Sequence, residues 1–354
     1  ANEVIANIAT RKLGSKGKVH PNDHVNKGQS SNDVIPTAIH VSVLLEVKQS
    51  LIPALETLAV TLEKKAKQFA KINKIGRTHL QDATPIFLGQ EFAGWASQVR
   101  HGIKRLGQGM DALRELPIGG TAVGTGINTH PKFAAGVCAD MSRELNEKFF
   151  EAKNHFEAQS AKDSCVEMSG DLRTVAVSLT KIANDIRWMG CGPRAGFAEL
   201  KVPAVQPGSS IMPGKINPVI AESLLQVCAE VVGNDAAVAW AGASGVFELN
   251  VMMPVIAWNL LESARLLANA VSMFESKCVR GIEADTKVCE GQIEKSLMLC
   301  TALVPILGYD ASAKLAKDAY KEGLTIRQIV LERNLVDELT LSKVLNAKNM
   351  SSGD

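Results

Sequence analysis

The residues with the most chemical potential lie in one short stretch, Gly208 to Asn217, with Pro218 behind it. Ser209 and Ser210 supply hydroxyls, Lys215 a compact positive charge and Asn217 a carboxamide, while Gly208, Pro213 and Gly214 let the backbone turn sharply. A lysine among small polar groups suits a carboxylate or a phosphate. The same residue types also make ordinary surface loops, because Gly, Ser and Pro favour turns. A second polar stretch, Gly76 to Asp82, holds His79, whose imidazole can exchange a proton near neutral pH. Its competing reading is structural, a histidine capping the start of the helix that follows. Acid and base groups without a cofactor suit removal of a proton next to a carboxylate. That step places a second negative charge on the carboxylate, which Lys215 and Asn217 could stabilise.

Two more polar stretches, 20 to 33 and 119 to 128, share this vocabulary of Ser, Thr, Asn, His, Lys and Gly. None carries the pattern of a redox, metal or nucleotide site. Gly214 and Lys215 are not followed by Ser or Thr and lack the upstream glycine of a phosphate-binding P-loop. Gly124, Thr125 and Gly126 follow a helical pattern rather than a strand, which argues against a dinucleotide fingerprint. His20 and His24 are four apart, but Pro21 intervenes and no Glu or Cys completes a ligand set, so no metal is expected.

Composition narrows the class further. The chain has 354 residues, of which 21% are charged and 46% apolar, with a formal net charge of +2. That describes a globular protein without the basic face nucleic acid requires. No run of about 18 apolar residues suggests a membrane span. Seven scattered cysteines with no C-x-x-C pair read as reduced thiols. The chain opens on Ala1, Asn2 and Glu3, in what reads as mid-helix and without an initiator methionine, so a preceding segment is expected.

The elements that must position the polar loops read as helices. Residues 1 to 13 form one, ending near Gly14. A long helix runs from Pro36 to about Ala70, with Leu51, Leu55, Leu58 and Leu62 on one face and Pro53 placed to kink it. Another enters through Pro85 and carries Leu88, Phe92, Trp95, Val99, Ile103, Leu106 and Met110. Short helical pieces fill 131 to 165, and Met168, Leu172, Val175, Leu179, Ile182, Ile186 and Met189 then keep a strict bundle seam. Residues 219 to 243 are apolar on every side, including Leu224, Val231, Val232, Val238 and Trp240, which predicts a helix buried all round and shared between subunits. A further helix covers 247 to 275, bearing Pro254. Period-two alternation is almost absent. The expected fold is all-α, a long-helix bundle over 30 to 285, with residues 1 to 29 the remnant of an N-terminal domain and 286 to 354 a small helical C-terminal domain.

The four loops together resemble the signature segments of the fumarase/aspartase superfamily: Gly208-Ser-Ser-Ile-Met-Pro-Gly-Lys-Ile-Asn-Pro218, His20-Pro-Asn-Asp-His-Val-Asn-Lys27 with Gln29-Ser-Ser-Asn-Asp33, Gly76-Arg-Thr-His-Leu-Gln-Asp82, and Gly119-Gly-Thr-Ala-Val-Gly-Thr-Gly-Ile-Asn128. With Phe247-Glu-Leu-Asn250 and the tail around Gly308 and Tyr309, the resemblance covers essentially the whole chain. Within the superfamily the chain is most similar to class II fumarases, which need no iron. His79, Ser31 and Gly214 stand where aspartases tend to carry Gln, Thr and Ala.

The resemblance implies reversible anti elimination of water from L-malate to fumarate, through a carbanion held as an aci-carboxylate, with no cofactor. It implies Ser209 as the base for the C3 proton. His79, oriented by Glu222, would serve the departing hydroxyl through a water. Thr78, Ser30, Ser31, Asn32, Lys215 and Asn217 would bind the two carboxylates, and His20, Asn22 and Asp23 would form a second, non-catalytic dicarboxylate site. The implied partner is a further copy of the chain, in a homotetramer whose sites are shared between subunits. The implied compartment is the cytoplasm, or the mitochondrial matrix in a eukaryote. Family members carry roughly 100 further N-terminal residues, ending in a Ser-Gly-Thr-x-Thr-Asn-Met-Asn motif that supplies substrate-binding hydroxyls; the motif is not in this sequence. Two alternatives stay open: another lyase of the superfamily, such as aspartase, and an inactive structural or assembly module.

Overall fold

The computed structural model describes residues 1–352, and helix dominates it. α1 (Asn2–Leu13) stops at Gly14, whose φ of 57° suits a residue without a Cβ. α2 (Ser31–Glu46) and α3 (Ile52–Gln68) follow one another through a single π-helical turn, Val47–Leu51. A π turn is where a helix takes up a local misfit, and here it falls just ahead of Pro53. α2 also starts earlier than expected, at Ser31, leaving Pro36 inside the helix. By length and composition Ser31–Gln68 could cross a membrane. Its apolar side is instead packed within the protein: Val43, Leu44, Val47, Leu51, Leu55, Leu58 and Leu62 are all buried.

The stretch expected to be a polar loop leading into a helix at Pro85 is a β-hairpin. β1 (Asn73–Thr78) pairs antiparallel with β2 (Gln81–Phe87), and α4 (Leu88–Leu113) starts only after it. Thr78 pairs with Gln81, so the hairpin turns on two residues, His79 and Leu80. Beyond it come β3 (Glu115–Leu116), α5 (Phe133–Leu145), β4 (Phe150–Glu151), α6 (His155–Ser160), α7 (Asp163–Met189) and β5 (Leu200–Lys201). β3 pairs parallel with β4. α8 (Val219–Gly242) and α9 (Met253–Lys277) complete the long helices, and β6 (Glu283–Ala284) pairs antiparallel with β5. Short helices then fill the C-terminal region: α10 (Thr286–Gly291), α11 (Val304–Leu307), α12 (Tyr309–Glu322), α13 (Ile326–Glu332), α14 (Glu338–Val344) and α15 (Ala347–Ser352).

The chain divides into two compact units. The first comprises Ala1–Leu55, His101–Leu179 and Gln226–Ala270; the second comprises Glu56–Arg100, Thr180–Leu225 and the residues from Val271 onward. In the first, α4 packs on α7: a Cβ on Gly109 would lie 2.6 Å from Asp171 Oδ2, so a larger residue there would have to displace that carboxylate. In the second, Phe69, Phe92 and Trp95 form an aromatic cluster with centroids 5.1 and 4.6 Å apart. The C-terminal helices enclose an apolar cluster of Ile293, Leu299, Leu303, Leu315, Ile326 and Ile329, which Ile75 of β1 joins.

The α7 seam behaves as its spacing predicts, with all seven residues from Met168 to Met189 buried. α8 does not. Leu224, Val231 and Val238 are buried, but Trp240 is 74% exposed and Val232 43% exposed. A single chain covers only one side of α8, so burial on every side is not achieved within it. All seven cysteines are free thiols, in keeping with their scattered spacing.

Candidate active site

Two of the four polar loops lie in the first unit. Pro21–Val25 makes one π-helical turn capped by His20, whose Nδ1 accepts from the backbone N–H groups of Asn22 (3.3 Å) and Asp23 (3.2 Å). The same nitrogen lies 3.1 Å from the Asp23 carboxylate, and His24 Nδ1 accepts from the His20 N–H at 2.9 Å. His20, Asn22 and Asp23 are therefore brought together on the surface by a helix cap. Among the described residues no three His, Cys, Asp or Glu side chains converge as a metal ion would require.

Ser30 is the N-cap of α2 and forms a capping box. Its Oγ accepts from the Asn32 N–H at 3.2 Å, and Asp33 Oδ1 accepts from the Ser30 N–H at 2.9 Å. The other oxygen of Asp33 accepts from the N–H groups of Gly119 (3.1 Å) and Thr121 (2.9 Å), and the carboxylate is fully buried. Asn32 Nδ2 donates to Ala122 O at 2.8 Å. Ser30, Ser31 and Asn32 are thus fastened to the 119–128 loop. That loop is tightly coiled: Thr121 and Asn128 hold φ of 56° and 63°, a left-handed backbone that Asn tolerates but the β-branched Thr resists.

The second unit holds the other two loops. The hairpin tip presents Thr78 and His79 to solvent, with His79 at φ 55° and Leu80 at φ 61°. Two positive φ values match the strand twist of a two-residue hairpin and are normally met by Asn or Gly. His79 is therefore not a helix-capping residue. Directly behind it, Arg77 makes a double hydrogen bond to the fully buried Glu199 at 2.9 and 2.8 Å, and its guanidinium stacks 4.2 Å from the Phe197 ring. Burial works against the charge on Arg77, but the Glu199 hydrogen bonds hold its pKa above the ordinary arginine value. Buried Lys74 lies 3.4 Å from Glu199 and 3.0 Å from Glu91. This network clamps β1 in place.

The Gly208–Asn217 stretch closes on itself. Ser209 N–H donates to Lys215 O at 2.9 Å, Lys215 N–H to Met212 O at 3.1 Å, and Met212 N–H to Ser209 Oγ at 3.1 Å. A Cβ on Gly208 would sit 2.5 Å from the Lys215 carbonyl, so the closure requires glycine there. Ser209 is half-buried and Lys215 exposed. A cavity of about 520 Å³ is lined by Arg187, Lys201, Lys215 and Asn217 among others. Glu222, in the first turn of α8, lies 3.8 Å from Arg187, which donates to Asn184 Oδ1 at 3.0 Å. Among the described residues no hydrogen bond or ion pair joins Glu222 to His79.

Each loop thus combines hydroxyl, amide or imidazole groups with a backbone held by hydrogen bonds. That suits fixing carboxylates and moving protons near them. Sequence reasoning passed over Asp33, Arg77, Glu199 and Arg187. For Asp33 one signal was present, since Ser30-x-x-Asp33 has the form of a capping box. The partners of Arg77 and Arg187 have no local signature.

The family model described as "Lyase" matches residues 1–233, and that described as "Fumarase C C-terminus" matches residues 299–352. The chain is 52% identical over 339 residues to the class II fumarate hydratase of Neisseria meningitidis, covering 95% of this chain and 73% of that protein. It is 54% identical over 334 residues to the mitochondrial fumarate hydratase 1 of Arabidopsis thaliana, covering 94% of this chain and 68% of the plant protein. The crystal structure of class II fumarase from Schistosoma mansoni superposes with a TM-score of 0.96 at 37% identity, over 99% of this chain and 77% of that one. With half its residues shared along nearly its whole length, the chain belongs to the class II fumarate hydratase family of lyases.

Proposed function

We propose that the protein catalyses the reversible anti elimination of water from L-malate to give fumarate. The observation that carries this is the 52% identity to a class II fumarate hydratase over 95% of the chain. It is supported by His79, Ser31 and Gly214, which match what the resemblance leads one to expect of fumarases where aspartases tend to carry Gln, Thr and Ala.

In this reading Ser209 takes the C3 proton. A free serine is far too weak a base, and the Met212 N–H donated to Ser209 Oγ is the kind of contact that steadies an alkoxide-like oxygen. The electron pair from the C–H bond moves into the adjacent carboxylate, where Lys215 and Asn217 stabilise the second negative charge. The C2–O bond then breaks, and the hydroxyl leaves as water with a proton delivered from His79 through a bridging water. Glu222 orients His79. Thr78, Ser30, Ser31 and Asn32 hold the two carboxylates, and His20, Asn22 and Asp23 form a separate dicarboxylate site.

The working unit in this proposal is a homotetramer with sites shared between chains. Support comes from the exposed apolar residues of α8 and from Ile211, Met212 and Ile216 on the closed loop, which need a cover in water. A Glu222–His79 contact not formed within one chain also fits sites built between copies. The compartment is the bacterial cytoplasm or the mitochondrial matrix, and the residues after 285 are a small C-terminal domain. The test is fumarate's ultraviolet absorbance on addition of L-malate, run beside ammonia release from L-aspartate. Malate-dependent fumarate is expected; ammonia without fumarate would overturn the proposal.

A further inference from the structure

We infer that Asp33 is a positioning residue of this site. Its buried carboxylate ties the turn Ser30–Asn32 to the backbone of the 119–126 loop, and so sets where the Ser31 hydroxyl and the Asn32 carboxamide point. The functional half of this inference rests on the proposed role of that turn in holding a substrate carboxylate.

Asp33 is 0% exposed, and among the described residues no cation pairs with it. A buried carboxylate without a counter-ion must be held by hydrogen bonds, and three backbone N–H groups converge on this one: Ser30 at 2.9 Å, Gly119 at 3.1 Å and Thr121 at 2.9 Å. One oxygen serves its own helix cap, and the other serves a loop more than 80 residues away in the chain. That loop cannot hold its own shape cheaply. Gly119, Gly124 and Gly126 take positive φ freely, but Thr121 carries a Cβ and holds φ of 56°, a conformation that persists only where surroundings impose it. Asn32 adds a second tether, donating from Nδ2 to Ala122 O at 2.8 Å. One amide hydrogen of Asn32 is thereby committed, and Oδ1 with the second hydrogen remains for a ligand. An ordinary capping aspartate would need only the Ser30 contact. The two contacts to Gly119 and Thr121 are what turn a cap into a brace between two loops.

Asp33→Asn keeps the size of the side chain but replaces one acceptor oxygen with an NH₂ group that cannot receive an N–H. Amide hydrogen exchange, resolved by NMR or fragment mass spectrometry, should quicken at Gly119 and Thr121 by about tenfold or more while amides of α7 stay unchanged. In steady-state kinetics with L-malate, KM should rise by about tenfold with kcat held within a few-fold. Unchanged exchange at Gly119 and Thr121 would overturn the brace. Faster exchange with an unchanged KM would reduce Asp33 to a helix cap and overturn the positioning role. Absence of malate turnover in the unsubstituted protein would sink the proposed reaction instead, and the exchange measurement would still decide the brace. If Asp33→Asn does not fold, Asp33→Glu keeps the charge on a longer arm. It should retain protection at both amides yet raise KM several-fold, and an unchanged KM there would overturn the role.

Discussion

Individual residues in this protein are held in conformations their side chains do not favour. His79 and Leu80 occupy left-handed backbone at the hairpin tip, where a Cβ costs about 1–2 kcal/mol per residue. Leu80→Gly should therefore stabilise the fold by about 0.5–1 kcal/mol once the greater freedom of glycine in the unfolded chain is subtracted. An unchanged or lower urea midpoint would contradict this. For Lys215, the proposed oxyanion role implies that Lys215→Ala lowers kcat/KM by about 3 kcal/mol of transition-state stabilisation, or more than a hundredfold. A kcat/KM within a few-fold of the original would remove the role. The chemistry-bearing residues were legible in the sequence because catalysis demands particular residue types, and Ser209, Lys215 and His79 stand out among loops of Gly, Pro and Asn. Asp33 was harder to read, because a buried acidic residue looks in sequence like any exposed one.

At the scale of elements, helices were readable and strands were not. The α7 seam and the buried leucines of α3 follow from a 3.6-residue repeat that tertiary packing merely uses. The hairpin of β1 and β2 carries no alternation, and Pro85 lies within β2 opposite Ile75. It is held from outside, by Arg77 and Lys74 on Glu199 and by Ile75 in the C-terminal cluster. Glu199→Gln would take the carboxylate away from half-buried Arg77 and leave buried Lys74 with Glu91 alone. The expected loss is about 3–5 kcal/mol of stability by urea unfolding. Proteolysis or hydrogen exchange should locate the loosening at Asn73–Phe87, and a loss below about 1 kcal/mol would show that the network is not what holds the hairpin.

For the molecule as a whole, burial sets a pH dependence. His40 is buried with its Nδ1 donating to Glu115 O at 2.9 Å; burial, together with nearby Lys162, pushes its pKa down to about 4 despite the hydrogen bond. The fold keeps His40 neutral, while the unfolded chain binds a proton below about 6.5. Its contribution to stability is thus fully present above pH 6.5 and is lost as the pH falls towards 4, by about 3 kcal/mol in all. His40→Asn, which keeps a donor for Glu115, should flatten the stability profile across that window. A profile as steep as that of the unsubstituted protein would show that other groups set it. By itself, the sequence determined the helical elements and the identity of the reactive side chains. Both depend on local periodicity and on intrinsic chemistry, and neither needs knowledge of distant partners. Only the tertiary structure decided that Asp33 braces a loop 88 positions on, that Glu199 reaches back 122 positions to hold the His79 hairpin, and that one side of α8 is left bare. Those features arise from long-range contacts made when the chain closes on itself, and no local pattern encodes which distant backbone amide or guanidinium a buried carboxylate will meet.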